Sequence, residues 1–255
     1  MAEMIFASQN GRNIPREDKI FGISNRAKAR VGREGKDKVV NATIGALLND
    51  DGKLIVLSSV DEVFRSLTPQ DYAEYAPIGG TAGFKEAVKK DVFRGFTPEN
   101  FTEVIATPGG TGAIRNTVAN YTESGDTILT ADWFWSPYNT IAQELGRKLD
   151  SFQLFDEHGD FNSGSLEKKV HEILKNQERL VIIINTPSHN PTGYAFTDDD
   201  WEAVINIVNS ASKEKKITLL VDAAYVDFAG DEEESRSFLP ALSKAADDVL
   251  IVIAH

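Results

Sequence analysis

The sequence contains no cysteine among its 255 residues. A disulfide framework and a thiolate metal site are therefore excluded, and nothing in the composition points to an oxidising compartment. Long apolar runs are missing too. The longest ones, such as the segment 180–184, are far shorter than the roughly 20 apolar residues that a helix needs to cross a bilayer. The start of the chain has no basic segment followed by an apolar stretch. We expect a cytoplasmic protein without a signal sequence or a membrane anchor.

Positive charge is also scarce, with 27 lysines and arginines against 39 acidic residues and a net charge of -12 at pH 7. Such a surface repels nucleic acid and anionic membranes, so we expect neither as a partner and favour a basic partner or a small-molecule ligand. The hydrophobic content of 41% is sufficient for a sizeable core. The length suits one large domain or one and a half small ones.

Beyond about residue 100, short β-branched runs alternate with amphipathic stretches, which predicts an α/β fold with a mostly parallel sheet covered by helices. One helix is especially clear, because apolar residues at i, i+3, i+4 and i+7 follow Thr197, a suitable N-cap. These residues are Trp201, Val204, Ile205 and Val208. The predicted strands cover 103–106, 127–130, 149–153, 180–184, 217–221 and 249–253, and the predicted helices 111–121, 137–145, 164–175, 198–212 and 238–246.

The first hundred residues follow a different pattern. They open with a polar, glycine-punctuated segment to about Arg33, for which no element is predicted. Helical stretches follow near 60–67 and 82–93. No internal repeat or low-complexity linker separates this region from the rest of the chain.

A glycine-rich run, Thr-Pro-Gly-Gly-Thr-Gly at 107–112, follows a predicted strand and opens a predicted helix. Glycines let backbone amides approach an anion at a helix N-terminus, where the helix dipole also favours negative charge. The same run could be no more than a turn, or part of a dinucleotide-binding fingerprint with Asp132 as the acid that binds ribose. Arg115 occupies the place of the third glycine of that fingerprint, which weighs against a dehydrogenase.

Two further polar segments follow neighbouring predicted strands. The first is His-Asn-Pro-Thr-Gly at 189–193, in which Asn190 can present its side-chain amide; the second begins with Asp222 and reaches Tyr225. Open α/β sheets bind ligands at the carboxyl ends of their strands. An aspartate in such a place can equally cap a helix, but three polar strand ends together indicate a ligand site.

Five segments occur in a fixed order: Asn-Ala-Thr-Ile-Gly at 41–45, Glu-Tyr-Ala-Pro-Ile-Gly-Gly at 74–80, Thr-Pro-Gly-Gly-Thr-Gly-Ala at 107–113, His-Asn-Pro-Thr-Gly at 189–193 and Asp-Ala-Ala-Tyr at 222–225. Together they resemble the fold-type I pyridoxal-phosphate (PLP) enzymes of the aspartate aminotransferase type, class I/II. The resemblance runs from about residue 38 to the end. It implies the three-layer α/β/α large domain of that fold, PLP as cofactor, and ping-pong transfer of an amino group between an L-amino acid, of aspartate or aromatic type, and a 2-oxo acid.

The resemblance also implies roles for the residues around the cofactor ring. Asp222 would pair with the protonated pyridine nitrogen, which keeps the ring able to accept electrons. Asn190 and Tyr225 would hydrogen-bond the phenolic oxygen of the ring and stabilise negative charge there. Trp135 would stack on the ring face, although a tryptophan beside a strand end can also belong to the core.

Other implied roles lie further from the ring. Gly110 and Thr111 would hold the phosphate, and Tyr75 would reach the phosphate of the neighbouring subunit in a homodimer. Ile44 and Gly45 would lie over the substrate. The implied domains are an N-terminal segment, 1–58, which contributes to a small domain and to dimer contacts, and a PLP-binding large domain, 59–255.

In this family the lysine that holds the cofactor covalently follows the strand after Asp222, in a Ser-x-Ser-Lys context. Here that strand is predicted at 249–253 and His255 is the last residue, so no catalytic residue is assigned. The segment 210–213, Ser-Ala-Ser-Lys, imitates the motif but precedes Asp222, and we expect a surface lysine there. With the last strand and the small domain incomplete, we expect the chain as it stands to be inactive and marginally stable.

Two alternatives stay open beside the aminotransferase hypothesis. The large domain could serve as a non-catalytic binding module. The same cofactor site also occurs in lyases and decarboxylases of this fold, and no residue in the sequence selects among these reactions.

Overall fold

The computed structural model describes residues 19–255. Chain contacts divide the described residues into two compact units, one that ends at Ala76 and one that covers Pro77–His255. The first unit contains helices α1 (Lys19–Glu34), α2 (Ser58–Ser66) and α3 (Pro69–Ala73). The second contains α4 (Ala82–Phe93), α5 (Gly109–Tyr121), β1 (Thr127–Ala131), α6 (Pro137–Glu144), β2 (Lys148–Phe152), α7 (Ser163–Leu174), β3 (Arg179–Asn185), α8 (Asp198–Ser212), β4 (Lys216–Asp222), α9 (Phe238–Leu242) and β5 (Val249–Ala254).

The five strands of the second unit form one parallel sheet in the order β2-β1-β3-β4-β5. In the register of β3 and β4, Asn185 lies beside Asp222 at the carboxyl ends of the two strands. β5 continues the register, with Ala254 beside Asp222. All five strands therefore end at the same edge of the sheet, from which the connecting loops leave.

Both faces of the sheet are covered, which is why the middle of its central strands is mostly apolar on both sides. Alternate residues of β3 enter different cores: Ile182 packs with the side chains of α7, α8 and α9, and Val181 packs with those of α5 and α6. The architecture is the predicted three-layer α/β/α arrangement.

Five of the six predicted strands are confirmed, but the strand predicted at 103–106 is wrong. This segment is extended without belonging to the sheet, and its Ala106 N–H donates to the carbonyl of Gly79. Ile105 stays 67% exposed. A β-branched run can only form a strand where a neighbouring strand supplies hydrogen bonds, and periodicity carries no information about that neighbour.

The predicted helices at 82–93 and 198–212 are confirmed residue for residue as α4 and α8. α8 begins with a capping box between Thr197 and Asp200, and the four apolar residues of its stripe are buried. α9 ends at Leu242 rather than near residue 246, because the side chain of Asn209 binds the Lys244 carbonyl and the Ala246 N–H.

Two helices of the first unit were not predicted. α1 lies in the polar, glycine-containing opening segment, and an ion pair joins Arg30 and Glu34, one turn apart, at 2.8 Å. α3 is only five residues long and is held by a capping box between Thr68 and Asp71. Across the described residues, no helix has the length and apolar character needed to span a membrane.

Candidate active site

The loops after β1, β3 and β4 contain the polar residues singled out above. These strands are neighbours in the sheet and end at one edge. The loop after β1 carries Trp135, the loop after β3 carries Asn190, and β4 itself ends with Asp222. The order of strands therefore brings together residues that are far apart along the chain.

Asn190 and Tyr225 are in direct contact. The side-chain amide of Asn190 donates to the Tyr225 hydroxyl over 3.1 Å. Since the hydroxyl accepts this bond, its own proton is available for a further acceptor. Tyr225 is 36% exposed, so the pair stands at the open side of the edge.

Asn185, the last residue of β3, connects the two neighbouring loops. Its side-chain amide donates to the backbone carbonyl of Asp222 at 2.8 Å, and its oxygen accepts the backbone N–H of Asn190 at 2.7 Å. Asn185 is only 4% exposed. A buried side chain with both polar ends satisfied holds the Asn190 loop in a fixed position relative to β4.

The carboxylate of Asp222 is buried, with 5% of the residue exposed. One oxygen accepts the hydroxyl of Tyr138, and the other accepts the backbone N–H of Ala224 at 3.3 Å. Burial raises the pKa of Asp222, and these two hydrogen bonds oppose that rise. Within the described part of the chain, no lysine, arginine or histidine forms an ion pair with this carboxylate.

Tyr138 lies in the first turn of α6 and is fully buried. Its ring meets the ring of Trp135 edge to face, with centroids 5.6 Å apart and an interplanar angle of 84°. Burial, together with the charge of Asp222, raises the pKa of the Tyr138 phenol. The phenol therefore stays protonated and can donate to Asp222 at any ordinary pH.

A buried histidine stiffens the loop after β3. His189 is 4% exposed, and its Nδ1 lies 2.8 Å from the Thr192 hydroxyl in the same loop. Burial lowers the pKa of His189, which favours the neutral imidazole. Beside it, Ser188 has a left-handed backbone with φ +55°.

The glycine-rich run forms the turn that leads into α5. Gly109 has φ +68° and donates its N–H to the Thr107 carbonyl at 2.7 Å. Gly110 and Thr111 fall in the first turn of α5, where backbone amides lack helical partners. A Cβ on Gly112 would lie 2.7 Å from Cδ of Pro108, so a glycine is required for this approach. α5 in turn packs on β3, β4 and β5.

Several other candidates belong to other parts of the chain. Tyr75, Ile44 and Gly45 belong to the first unit, where Tyr75 and Ile44 are exposed, and their roles remain predictions. Lys213 is exposed just after α8, before β4 begins, as expected of a surface lysine. The Asp132 carboxylate accepts the backbone N–H groups of Trp133 and Leu154, so it links the loop after β1 to the segment after β2.

Sequence reasoning missed Tyr138 and Asn185. Tyr138 follows Trp135 by three residues, a helical spacing, but nothing local indicates that its hydroxyl faces β4. Asn185 ends an apolar strand, a position at which an asparagine usually reads as the start of a turn. Both contacts depend on the pairing of distant strands.

The chain matches the model of the family "Aminotransferase class I and II" over residues 37–254. It is 24% identical to the tyrosine aminotransferase of Klebsiella pneumoniae over 92% of this chain and 58% of that protein. It is 26% identical to the aromatic-amino-acid aminotransferase of Escherichia coli K12 over 87% of this chain and 56% of that protein. The chain thus spans somewhat more than half the length of these relatives.

Solved structures agree with this match. The crystal structure of an aminotransferase from Anaerococcus prevotii superposes with a TM-score of 0.93 at 36% identity, covering 98% of this chain and 62% of that one. An aromatic-amino-acid aminotransferase from Burkholderia pseudomallei, solved covalently bound to pyridoxal phosphate, has the same fold, with a TM-score of 0.75 at 20% identity over 95% of this chain and 60% of that one. The sequence motifs, the fold and the family match agree, and the chain belongs to the class I and II aminotransferases.

Proposed function

We propose that this chain forms the PLP-binding part of an aminotransferase that moves an amino group between an L-amino acid, of aspartate or aromatic type, and a 2-oxo acid. The observation that supports it best is the buried Asp222 carboxylate, with no cationic partner among the described residues, beside the hydrogen-bonded pair of Asn190 and Tyr225. A buried carboxylate without a counter-ion is unfavourable unless a ligand supplies positive charge.

The residues at the edge fit PLP, which when bound acts as an electron sink for the α-carbon of an attached amino acid. Asp222 would hold the proton on the pyridine nitrogen. Tyr225, whose hydroxyl already accepts from Asn190, would donate its proton to the phenolic oxygen. Trp135 would cover one ring face, held by its contact with Tyr138.

The phosphate of PLP would be held at the start of α5. Gly110 and Thr111 place backbone amides there, and the helix dipole favours an anion at that end. α5 packs on the strands that carry Asp222 and Asn185, which supports a single site for ring and phosphate.

The remaining parts of the proposal concern assembly. We propose that 1–58 contributes to a small domain and to dimer contacts and that 59–255 is the large domain. In a cytoplasmic homodimer, Tyr75 would reach the phosphate of the neighbouring subunit, and Ile44 and Gly45 would border the substrate. Tyr75 is fully exposed, as a residue that serves a second subunit would be.

Cofactor binding is tested with pyridoxamine phosphate, which needs no covalent link. We expect saturable binding by the wild-type protein, measured by calorimetry, and its loss in Asp222→Ala. Asp156→Ala is the matched control, because the Asp156 carboxylate binds backbone N–H groups in a separate loop. Absence of binding at millimolar pyridoxamine phosphate would favour a non-catalytic scaffold, and saturable binding of NAD would favour a dehydrogenase.

The reaction is tested with the product of the whole gene, loaded with PLP. Aspartate, tyrosine and phenylalanine are each offered with 2-oxoglutarate, and the amino acids formed are measured by chromatography. Formation of glutamate together with the matching 2-oxo acid supports amino transfer. Release of carbon dioxide, or cleavage of the amino acid without glutamate, would identify a decarboxylase or a lyase instead.

A further inference from the structure

We propose that Tyr138 is a positioning residue that acts through Asp222: its hydroxyl donates to one carboxylate oxygen, fixes that oxygen in place and stabilises the ionised form of the carboxylate. This role rests on the proposed function, since the ionised carboxylate is what the cofactor nitrogen requires. Tyr138 itself touches neither ring nor substrate in this scheme.

Core packing and one hydrogen bond fix the position of Tyr138 against Asp222. Tyr138 is held in the core between α5, α6 and the sheet, with Ile114, Ile128 and Leu220 in the same cluster. Its fully buried hydroxyl donates to Oδ2 of Asp222. The surrounding side chains restrict rotation of this phenol and keep its hydroxyl directed at Oδ2. Oδ1 has only the longer, 3.3 Å contact from the N–H of Ala224, which leaves it the freer oxygen.

The hydrogen bond from Tyr138 also affects the charge on Asp222. Burial raises the pKa of Asp222, the Tyr138 hydrogen bond lowers it, and the Ala224 N–H lowers it less. The groups that face Asp222 from the other neighbouring elements bring no positive charge: they are the Asn185 amide of β3, the Ala254 backbone of β5 and the Tyr225 phenol. Among the described residues, the Tyr138 hydroxyl is therefore the strongest stabiliser of the ionised carboxylate.

The charge on Asp222 would in turn determine how the site binds the cofactor nitrogen. A carboxylate can keep the pyridine nitrogen protonated only while it is itself ionised. Without the phenol, Asp222 would take up a proton at a higher pH, and the ring nitrogen would lose its partner. Tyr138 would thus set the lowest pH at which the site holds the cofactor in its electron-accepting form.

Tyr138→Phe keeps the ring and removes only the hydroxyl. In the ligand-free protein, the carboxyl carbon of Asp222 is followed by carbon-13 NMR from pH 4 to 9. We expect its titration midpoint to rise by about one pH unit or more, as loss of a hydrogen bond to a charged group predicts. The acid limb of pyridoxamine phosphate affinity should move up by the same amount, with about tenfold weaker binding on that limb.

Two controls isolate the effect. Tyr194→Phe also removes a half-buried phenol that donates to an aspartate, Asp200, at 2.6 Å. It should leave both the titration midpoint of Asp222 and the affinity for pyridoxamine phosphate unchanged. In an Asp222→Asn background, Tyr138→Phe should alter pyridoxamine phosphate affinity by less than about twofold, because the phenol acts only through the carboxylate. Affinity for inorganic phosphate should not change in any of these variants.

An unchanged Asp222 midpoint in folded Tyr138→Phe would overturn the role of Tyr138, as would an equal shift in Tyr194→Phe. If Tyr138→Phe does not fold, 3-fluorotyrosine at position 138 replaces it; this more acidic donor should lower the midpoint, and a midpoint that stays or rises refutes the proposal. Failure of the wild-type protein to bind pyridoxamine phosphate would instead refute the cofactor site on which the role rests.

Discussion

The interior of the sheet and its carboxyl edge differ in the kind of side chain that they bury. Val181, Leu219 and Leu220 in the central strands are apolar side chains that are 0% exposed. A few residues further along, Asn185 and Asp222 are buried polar groups. The interior stabilises the fold by removing apolar surface from water, whereas the edge accepts an unpaired carboxylate that costs stability in the absence of a ligand. The proposed cofactor site lies at the edge that carries this unfavourable charge.

The largest expected effect tests the interior. Leu219→Ala should lower the free energy of unfolding by about 2–5 kcal/mol, because it leaves a cavity between packed layers. Leu54→Ala, in the first unit, is the control: Leu54 is 68% exposed, and its truncation should cost no more than about 0.5 kcal/mol. Urea unfolding followed by circular dichroism measures both. An equal loss in the control would mean that the apolar surface of the first unit is covered in solution.

An intermediate effect is expected at the glycine turn. Gly112→Ala places a Cβ 2.7 Å from Cδ of Pro108, so the turn must shift, at a cost of about 1–3 kcal/mol. Pyridoxamine phosphate should also bind more weakly. Gly83→Ala in α4 is the matched control, because its Cβ would meet nothing within 4 Å, and it should raise stability by up to about 1 kcal/mol. An unchanged affinity for pyridoxamine phosphate in Gly112→Ala would show that the glycine turn does not hold the phosphate group.

The smallest effect has the opposite sign. The pKa of Asp222 is raised in the folded protein, so its contribution to stability is complete below its ordinary pKa and is lost as pH rises through the folded value. Asp222→Asn should therefore match the wild type near pH 4 and exceed it by about 1 kcal/mol at neutral pH.

Asp156→Asn provides the contrast to that prediction. Backbone N–H groups lower the pKa of Asp156, so its contribution is present above its ordinary pKa and is lost as pH falls. This variant should lose stability at neutral pH. Unfolding free energies measured from pH 4 to 8 compare the two. A neutral-pH loss in Asp222→Asn would show that the edge is not under electrostatic strain.

Local sequence patterns were sufficient to predict an element wherever all the residues that determine it lie within the element itself. α8 combines a capping residue with an apolar stripe, and both are contained within its own fifteen residues. β3 is a short apolar run between turn signals. The segment 103–106 has the same appearance, yet it finds no partner strand, and α1 forms in a segment whose polar, glycine-containing composition predicted no element.

The candidate site shows the same limit. Asn190, Asp222 and Tyr225 stand out because each follows a strand in a motif with a recognisable chemical purpose. Tyr138 and Asn185 have no such signature, since their partners lie 84 and 37 residues away along the chain. Only the side-by-side order of β1, β3 and β4 makes them neighbours of the site.

The amino-acid order by itself determined the α/β class, the apolar strands, the clearest helices and the family, because these depend on short-range periodicity and on motifs of a few residues. The tertiary structure alone decided which strands pair, that the Asp222 carboxylate is buried without a cation in the described chain, and that a phenol from α6 reaches it. Burial and hydrogen bonding between distant segments are properties of packing, and packing is settled only when the layers come together.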